Sequence, residues 1–122
     1  MRSVPSLALA VALAACGNDV GVPPPERVVE ADPCETSYLE YDNFGAPFVL
    51  DWCRGCHSSA VPEAMRQHAP IDVNFDTSDD FLRWQNRILV RATGSKPTMP
   101  PAGGPSSQER ALLAEWIACG MR

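Results

Sequence analysis

Residues 53–57 read Cys53-Arg54-Gly55-Cys56-His57, and no other stretch constrains the chain as tightly. Two thiols two residues apart fit within one helical turn, and an imidazole follows the second directly. That spacing suits covalent attachment to one porphyrin edge. Each thiol adds across a vinyl group, and the histidine arrives beneath the iron as an axial ligand. A chain built in this way has to fold around a flat, apolar, covalently held group. The same pattern occurs in zinc sites and in dithiol redox sites, so the remaining cysteines have to be accounted for.

There are five cysteines: Cys16, Cys34, Cys53, Cys56 and Cys119. The chain opens Met1-Arg2 and continues with a mostly apolar run from Val4 that closes on Leu13-Ala14-Ala15-Cys16. A basic start, an apolar stretch too brief to span a bilayer and small residues before a cut site describe an export signal. The Leu-Ala-Ala-Cys ending resembles the lipobox of bacterial lipoproteins, which implies that Cys16 is acylated and becomes the mature N-terminus. Export implies an oxidising compartment. With Cys16 assigned to lipid and Cys53/Cys56 to haem, Cys34 and Cys119 are left to pair as a disulfide. Such a bridge would close a loop of about 85 residues and remove on the order of 4–5 kcal/mol of unfolded-state entropy.

The expected organisation is therefore a signal peptide at 1–15, a lipidated tether at 16–33 and one small domain at 34–122. The tether contains Pro23-Pro24-Pro25, which favours an extended, semi-rigid chain. A domain of this size has room for only a small core, and a disulfide or a bound group is the usual supplement. Acidic residues outnumber basic ones, 15 to 10. Loss of the signal removes only Arg2, for a mature net charge of about −6. That balance argues against nucleic acid and against electrostatic docking on an anionic bilayer; it suits a cationic protein partner, and equally a surface whose charge simply keeps the protein soluble.

Four segments carry helical signals, and none alternates convincingly as a strand. The first runs from about Tyr38 to Trp52 and leads into the cysteine motif. A short second helix is expected from Pro62 to before Pro70. Residues 70–76 read as an extended loop along the edge of the bound group. Thr77-Ser78-Asp79-Asp80 looks like a capped helix start with acids in the first turn. Phe81, Trp84 or Gln85, Ile88 and Ala92 then recur at helical spacing, with Leu82 and Leu89 widening the stripe, and Gly94 ends the helix. The last helix runs from Ser107 to Cys119, with Leu112, Leu113, Trp116 and Ile117 as its apolar face and Gly120 after it.

Between these two helices lies Thr98-Met99-Pro100-Pro101-Ala102-Gly103-Gly104-Pro105. Proline and glycine exclude regular structure here and hold an extended loop. A thioether presented from a stiff loop suits the sixth position on a haem iron, where it raises the reduction potential. Met99 is the expected ligand. Met65 competes with it but lies close to His57 on the proximal side.

Taken together, Cys53-Arg54-Gly55-Cys56-His57, Met99-Pro100-Pro101 and a closing helix with Leu113 and Trp116 three apart resemble the small monohaem class I c-type cytochromes, here in a lipoprotein version. The resemblance covers about residues 38–120. It implies an all-α, cytochrome c-like helical domain wrapped around one covalently bound haem, with iron ligands His57 and Met99. It also implies a close helix crossing in which Gly45 admits Trp116, and a backbone carbonyl on the free ring nitrogen of His57, the place that Pro70 would take. The implied role is an electron carrier, not an enzyme, that serves unidentified redox proteins. It would sit on the periplasmic side of a bacterial membrane. Gly17 lacks the acidic character associated with inner-membrane retention, so the outer membrane is the better match. Arg54 reads as a solvated spacer; Trp84, Arg87 and Arg91 are candidates for the haem propionates, but a helical tryptophan is more often core and an arginine more often solvated, and none is assigned that contact.

Three other readings compete. A peroxidase-like or ligand-binding haem protein needs an open sixth site and a distal acid–base group, for which His68 is the spare histidine. A zinc module would use Cys53, Cys56, His57 and His68, leaving the methionine loop unexplained. A thiol–disulfide oxidoreductase would need a thioredoxin-like βαβ pattern, which the sequence lacks.

Overall fold

In the computed structural model, residues 31–122 are described, and they are helical with no strand among them. The expected signal peptide, the acylated Cys16 and nearly all of the tether fall outside the described residues. Helix α1 is a single turn, Pro33–Thr36, capped by the Asp32 carboxylate on the Cys34 N–H. A π-helical turn at Tyr41–Gly45 runs directly into α2, Ala46–Trp52. The first expected helix is therefore present from Tyr41 onward, behind Glu40, whose backbone N–H donates to the Asn43 side chain at 2.8 Å. Helix α3 spans Ser78–Ala92 and α4 spans Ser107–Ala118.

Both long helices begin with reciprocal caps. Thr77 Oγ1 accepts from the Asp80 N–H at 3.2 Å, and the Asp80 carboxylate accepts from the Thr77 N–H at 3.0 Å. Ser106 and Glu109 repeat the arrangement at 3.2 and 2.7 Å. Two orphan N–H groups are satisfied at each helix start. The cap of α4 is thus Ser106, directly before the helix.

The second expected helix is reduced to one 3₁₀ turn, Glu63–Met65. Gln67 and His68 follow with φ of 51° and 67°, and two successive residues in the left-handed region break an α-helix. Residues 70–76 form turns and irregular chain, as expected of a loop. On α3 the Phe81, Ile88 and Ala92 stripe is buried, whereas Leu82 is exposed and does not widen it.

The core is centred on Trp116, which is 1% exposed. Its ring meets Phe44 at 6.0 Å and Phe81 at 5.6 Å between centroids, and its other face lies on Gly45. A Cβ built on Gly45 would overlap the indole ring, so the expected Gly45–Trp116 crossing is present. Cys34 and Cys119 form the expected disulfide, with Cα atoms 5.2 Å apart. Arg122 reinforces it by donating to the carbonyls of Cys34 and Ser37, while its own carbonyl accepts from Tyr41 N–H and Trp116 Nε1.

Gly45 has φ −59°, so alanine there suits the backbone and gains up to about 1 kcal/mol of helix propensity. Gly45→Ala is nevertheless expected to destabilise the fold by about 1–3 kcal/mol through overpacking against a ring that cannot retreat. Urea unfolding measures this; an unchanged or raised midpoint would mean that the close approach is not required.

Candidate functional site

Helix α2 delivers the cysteine motif. Cys53 N–H and Arg54 N–H both donate to Val49 O at 2.9 Å, and Cys56 and His57 N–H donate to Cys53 O at 3.1 and 2.9 Å. The motif is therefore a compact turn continuing the helix, which brings both cysteines and His57 to one side. Cys53 and Cys56 are free, half-buried thiols. They open, together with His57, into a cavity of about 250 Å³. Its other walls come from Phe48 and Trp52, from Pro70, Val73 and Phe75, from Trp84, Ile88 and Ala92 on α3, and from Met99, Pro100 and Pro101. The lining is overwhelmingly apolar, with Arg87 and Arg91 as its charged members.

Four residues singled out by sequence, Cys53, Cys56, His57 and Met99, thus share one cavity. Met65 is 67% exposed and is not part of the lining, and His68 is also absent from it. Trp84, Arg87 and Arg91 line the cavity as well.

His57 Nδ1 lies 3.0 Å from Val73 O. A carbonyl can only accept, so Nδ1 carries the hydrogen and Nε2 keeps its lone pair free. The expected partner, the Pro70 carbonyl, is instead taken by Arg66 Nη2 at 2.8 Å. The ring stacks on Phe75 at 4.8 Å, and Phe75 N–H donates back to His57 O at 2.9 Å. Proton affinity at His57 is lowered, first by desolvation and also by the Arg66 charge, against an opposing contribution from the Val73 hydrogen bond. The imidazole is held neutral, the state in which it can act as a ligand. Burial pushes the Cys53 thiol up to about 12. A thiolate nucleophile requires the opposite shift, so Cys53 is poorly suited to dithiol exchange.

Arg54 is not a free spacer: its Nε lies 3.4 Å from Asp76 Oδ1. Asp76 also accepts from Ser59 N–H at 2.8 Å and Ser59 Oγ at 2.7 Å, and thereby ties the chain after the motif to the start of α3. A hydrogen bond from Ser58, those from Ser59 and the Arg54 charge hold its carboxyl at about 2.

The methionine loop is anchored through its backbone. Thr98 and Met99 N–H both donate to Arg91 O, at 2.8 and 2.9 Å. Arg110, buried at the start of α4, donates from Nη1 to Met99 O at 2.7 Å and Ala92 O at 2.6 Å, and from Nε to Pro105 O at 3.1 Å. Gly104, at φ +130°, lies against the Trp52 ring, where a Cβ would come within 2.6 Å. Sequence reasoning missed Arg110, although it lies three residues before Leu113 and six before Trp116, on the buried face of α4. It also missed Arg66, which no periodicity marks.

One expectation is corrected. Among the described residues no group of three or more His, Cys, Asp or Glu side chains could hold a metal ion. The metal-binding group expected from the sequence is therefore not found among the described residues, and the zinc module built on Cys53, Cys56, His57 and His68 falls with that expectation. No family model, curated protein or solved structure matches the chain. Among the described residues no helix is long and apolar enough to cross a membrane.

Asp76 supplies a pH test. Its folded-state value lies below the ordinary 3.8. Its stabilising contribution is therefore present above about pH 4 and is lost as pH falls towards about 2. Thermal unfolding measured from pH 5 to pH 2 should show this acid limb in the native chain and a flatter one in Asp76→Asn. Identical acid limbs would mean that Asp76 does not supply it.

Proposed function

We propose that the chain is an electron carrier that holds one c-type haem in the cavity between α2, α3 and the methionine loop. The observation that carries this reading is the convergence of Cys53, Cys56, His57 and Met99 on one apolar cavity. These residue types suit that group and no simpler one. Each cysteine would add its sulfur to one vinyl carbon and its thiol hydrogen to the neighbouring carbon, leaving two neutral thioethers and no redox change. His57 offers a free Nε2 whose tautomer is set by Val73, and Met99 offers a soft thioether from a backbone-anchored loop. When bound, the haem supplies reversible one-electron exchange between ferric and ferrous iron, with the electron taken from one redox protein and passed to another.

The chain's own residues do the rest. Phe48, Phe75 and Ile88 give the cavity apolar walls, which would favour the less charged state of a bound redox centre. With a haem held by His57 and Met99, no iron position would be left for oxygen or peroxide, which is what a carrier rather than an enzyme would need. The acidic balance, 15 against 10, suits cationic partner proteins. Acylation at Cys16 would hold the domain on the periplasmic side of a membrane through the 16–33 tether.

Coexpression with a cytochrome c maturation system followed by absorption spectroscopy tests the assignment. Sharp reduced α and β bands that survive denaturation, with the weak red band of an oxidised Met–iron pair, are the expected result. Met99→Ala should keep the covalent haem, turn the iron high-spin and admit cyanide or carbon monoxide quickly. Unchanged ligand reactivity would remove Met99 from the iron. Covalent haem without the red band in the native protein would instead favour a ligand-binding or catalytic haem protein. Absence of covalent haem would discard the reading.

The anchor is tested separately. Cys16→Ser should move the protein from membranes to the soluble fraction with its haem spectrum unchanged; continued membrane association would refute lipidation at Cys16.

A further inference from the structure

The least expected group beside the cavity is Arg66. Its side chain is 1% exposed, and among the described residues no carboxylate lies within ion-pair distance of it. It donates instead to four backbone carbonyls: Ser58, Ala69 at 3.4 Å, Pro70 at 2.8 Å and Val73 at 3.0 Å. The left-handed backbone at Gln67 and His68 turns the loop around the guanidinium. A buried cation that has only neutral partners is unfavourable for stability alone, since an apolar side chain of similar size would avoid its desolvation. That makes a role beyond packing worth seeking.

One of the four carbonyls also meets the imidazole. Val73 O accepts from Arg66 Nη2 and from His57 Nδ1, each at 3.0 Å. Donation from a cation withdraws electron density from the shared oxygen and weakens its pull on the imidazole hydrogen. The ring is left a weaker electron donor. The same guanidinium holds the carbonyl in place and sets a fixed positive charge next to the ligand.

We propose that Arg66 is a positioning residue that acts on His57 through the Val73 carbonyl and biases a haem bound in the cavity towards its reduced state. The proposal rests on the electron-carrier reading, because it assigns Arg66 a function at that site.

The test uses the full chain with its haem. Redox titration of Arg66→Met should show the reduced-to-oxidised ratio at a fixed ambient potential falling about tenfold, a downward shift of about 59 mV for a one-electron couple. Resonance Raman of the ferrous protein, in a Met99→Ala background that frees the sixth site, should show the iron–histidine stretch rising as the Val73–His57 hydrogen bond strengthens. Arg66→Lys keeps the charge with fewer donors and is read in the same way if Arg66→Met does not fold; a potential below that of the native protein supports the proposal. A potential and a stretch that both stay at native values while thermal stability drops would overturn it, leaving Arg66 a bracket for its loop. Absence of covalent haem in the native protein would be seen before any variant was made and would remove both the reading and the inference.

Discussion

The contact on which the rest depends is the approach of Trp116 to Gly45. It brings the closing helix against the segment that precedes the cysteine motif, and it leaves no room for even one methyl group between them. From Trp116 an unbroken run of aromatic contacts reaches the site: Phe81 at 5.6 Å, then Phe75 at 5.3 Å, then the His57 ring at 4.8 Å. Close-packed rings transmit position because none can shift without displacing the next. The imidazole is thus located by the core as well as by its own hydrogen bond. The Cys34–Cys119 bridge and the Arg122 contacts tie the two ends of the domain to that crossing.

The two loops that complete the cavity have no ladder of their own. Each is organised instead by one buried guanidinium whose planar fork reaches several carbonyls at once. Arg66 gathers the loop carrying Pro70 and Val73, and Arg110 gathers the ends of the methionine loop at Ala92, Met99 and Pro105. Irregular backbone near an apolar cavity presents carbonyls that water cannot serve, and an arginine can satisfy three or four with one side chain. This division of labour places packing on the helices and polar satisfaction on two cations.

The legible parts of the sequence were those governed by local rules. Helix α3 could be read from its threonine cap and its Phe81, Ile88, Ala92 period, and α4 from its apolar face and terminal glycine. Cysteine arithmetic gave the Cys34–Cys119 pair, and the resemblance gave Gly45 against Trp116. What escaped was set by long-range partners. The helix expected after Pro62 fails because Arg66 turns inward and draws four carbonyls around itself, a demand that propensity does not register. That His57 bonds to Val73 rather than Pro70 is likewise set by the path of the loop, which local propensity does not register. Arg54 finds Asp76, more than twenty residues away, and the Leu82 position is decided by what α3 packs against and not by its spacing.

The protonation states at the site narrow its chemistry further. Desolvation raises Cys53 to about 12 and lowers the proton affinity of His57. Both shifts have the same leading cause, desolvation by burial, and both favour the uncharged form. A reactive dithiol needs a thiolate, and burial resists one at Cys53. A thioether has no proton to lose, so it can occupy the same apolar wall without that penalty, and a neutral imidazole beside it needs no counter-ion. The burial that disfavours a thiolate at Cys53 and a charged ring at His57 therefore suits neutral sulfur and neutral nitrogen at these two positions, the groups a covalently attached haem would require.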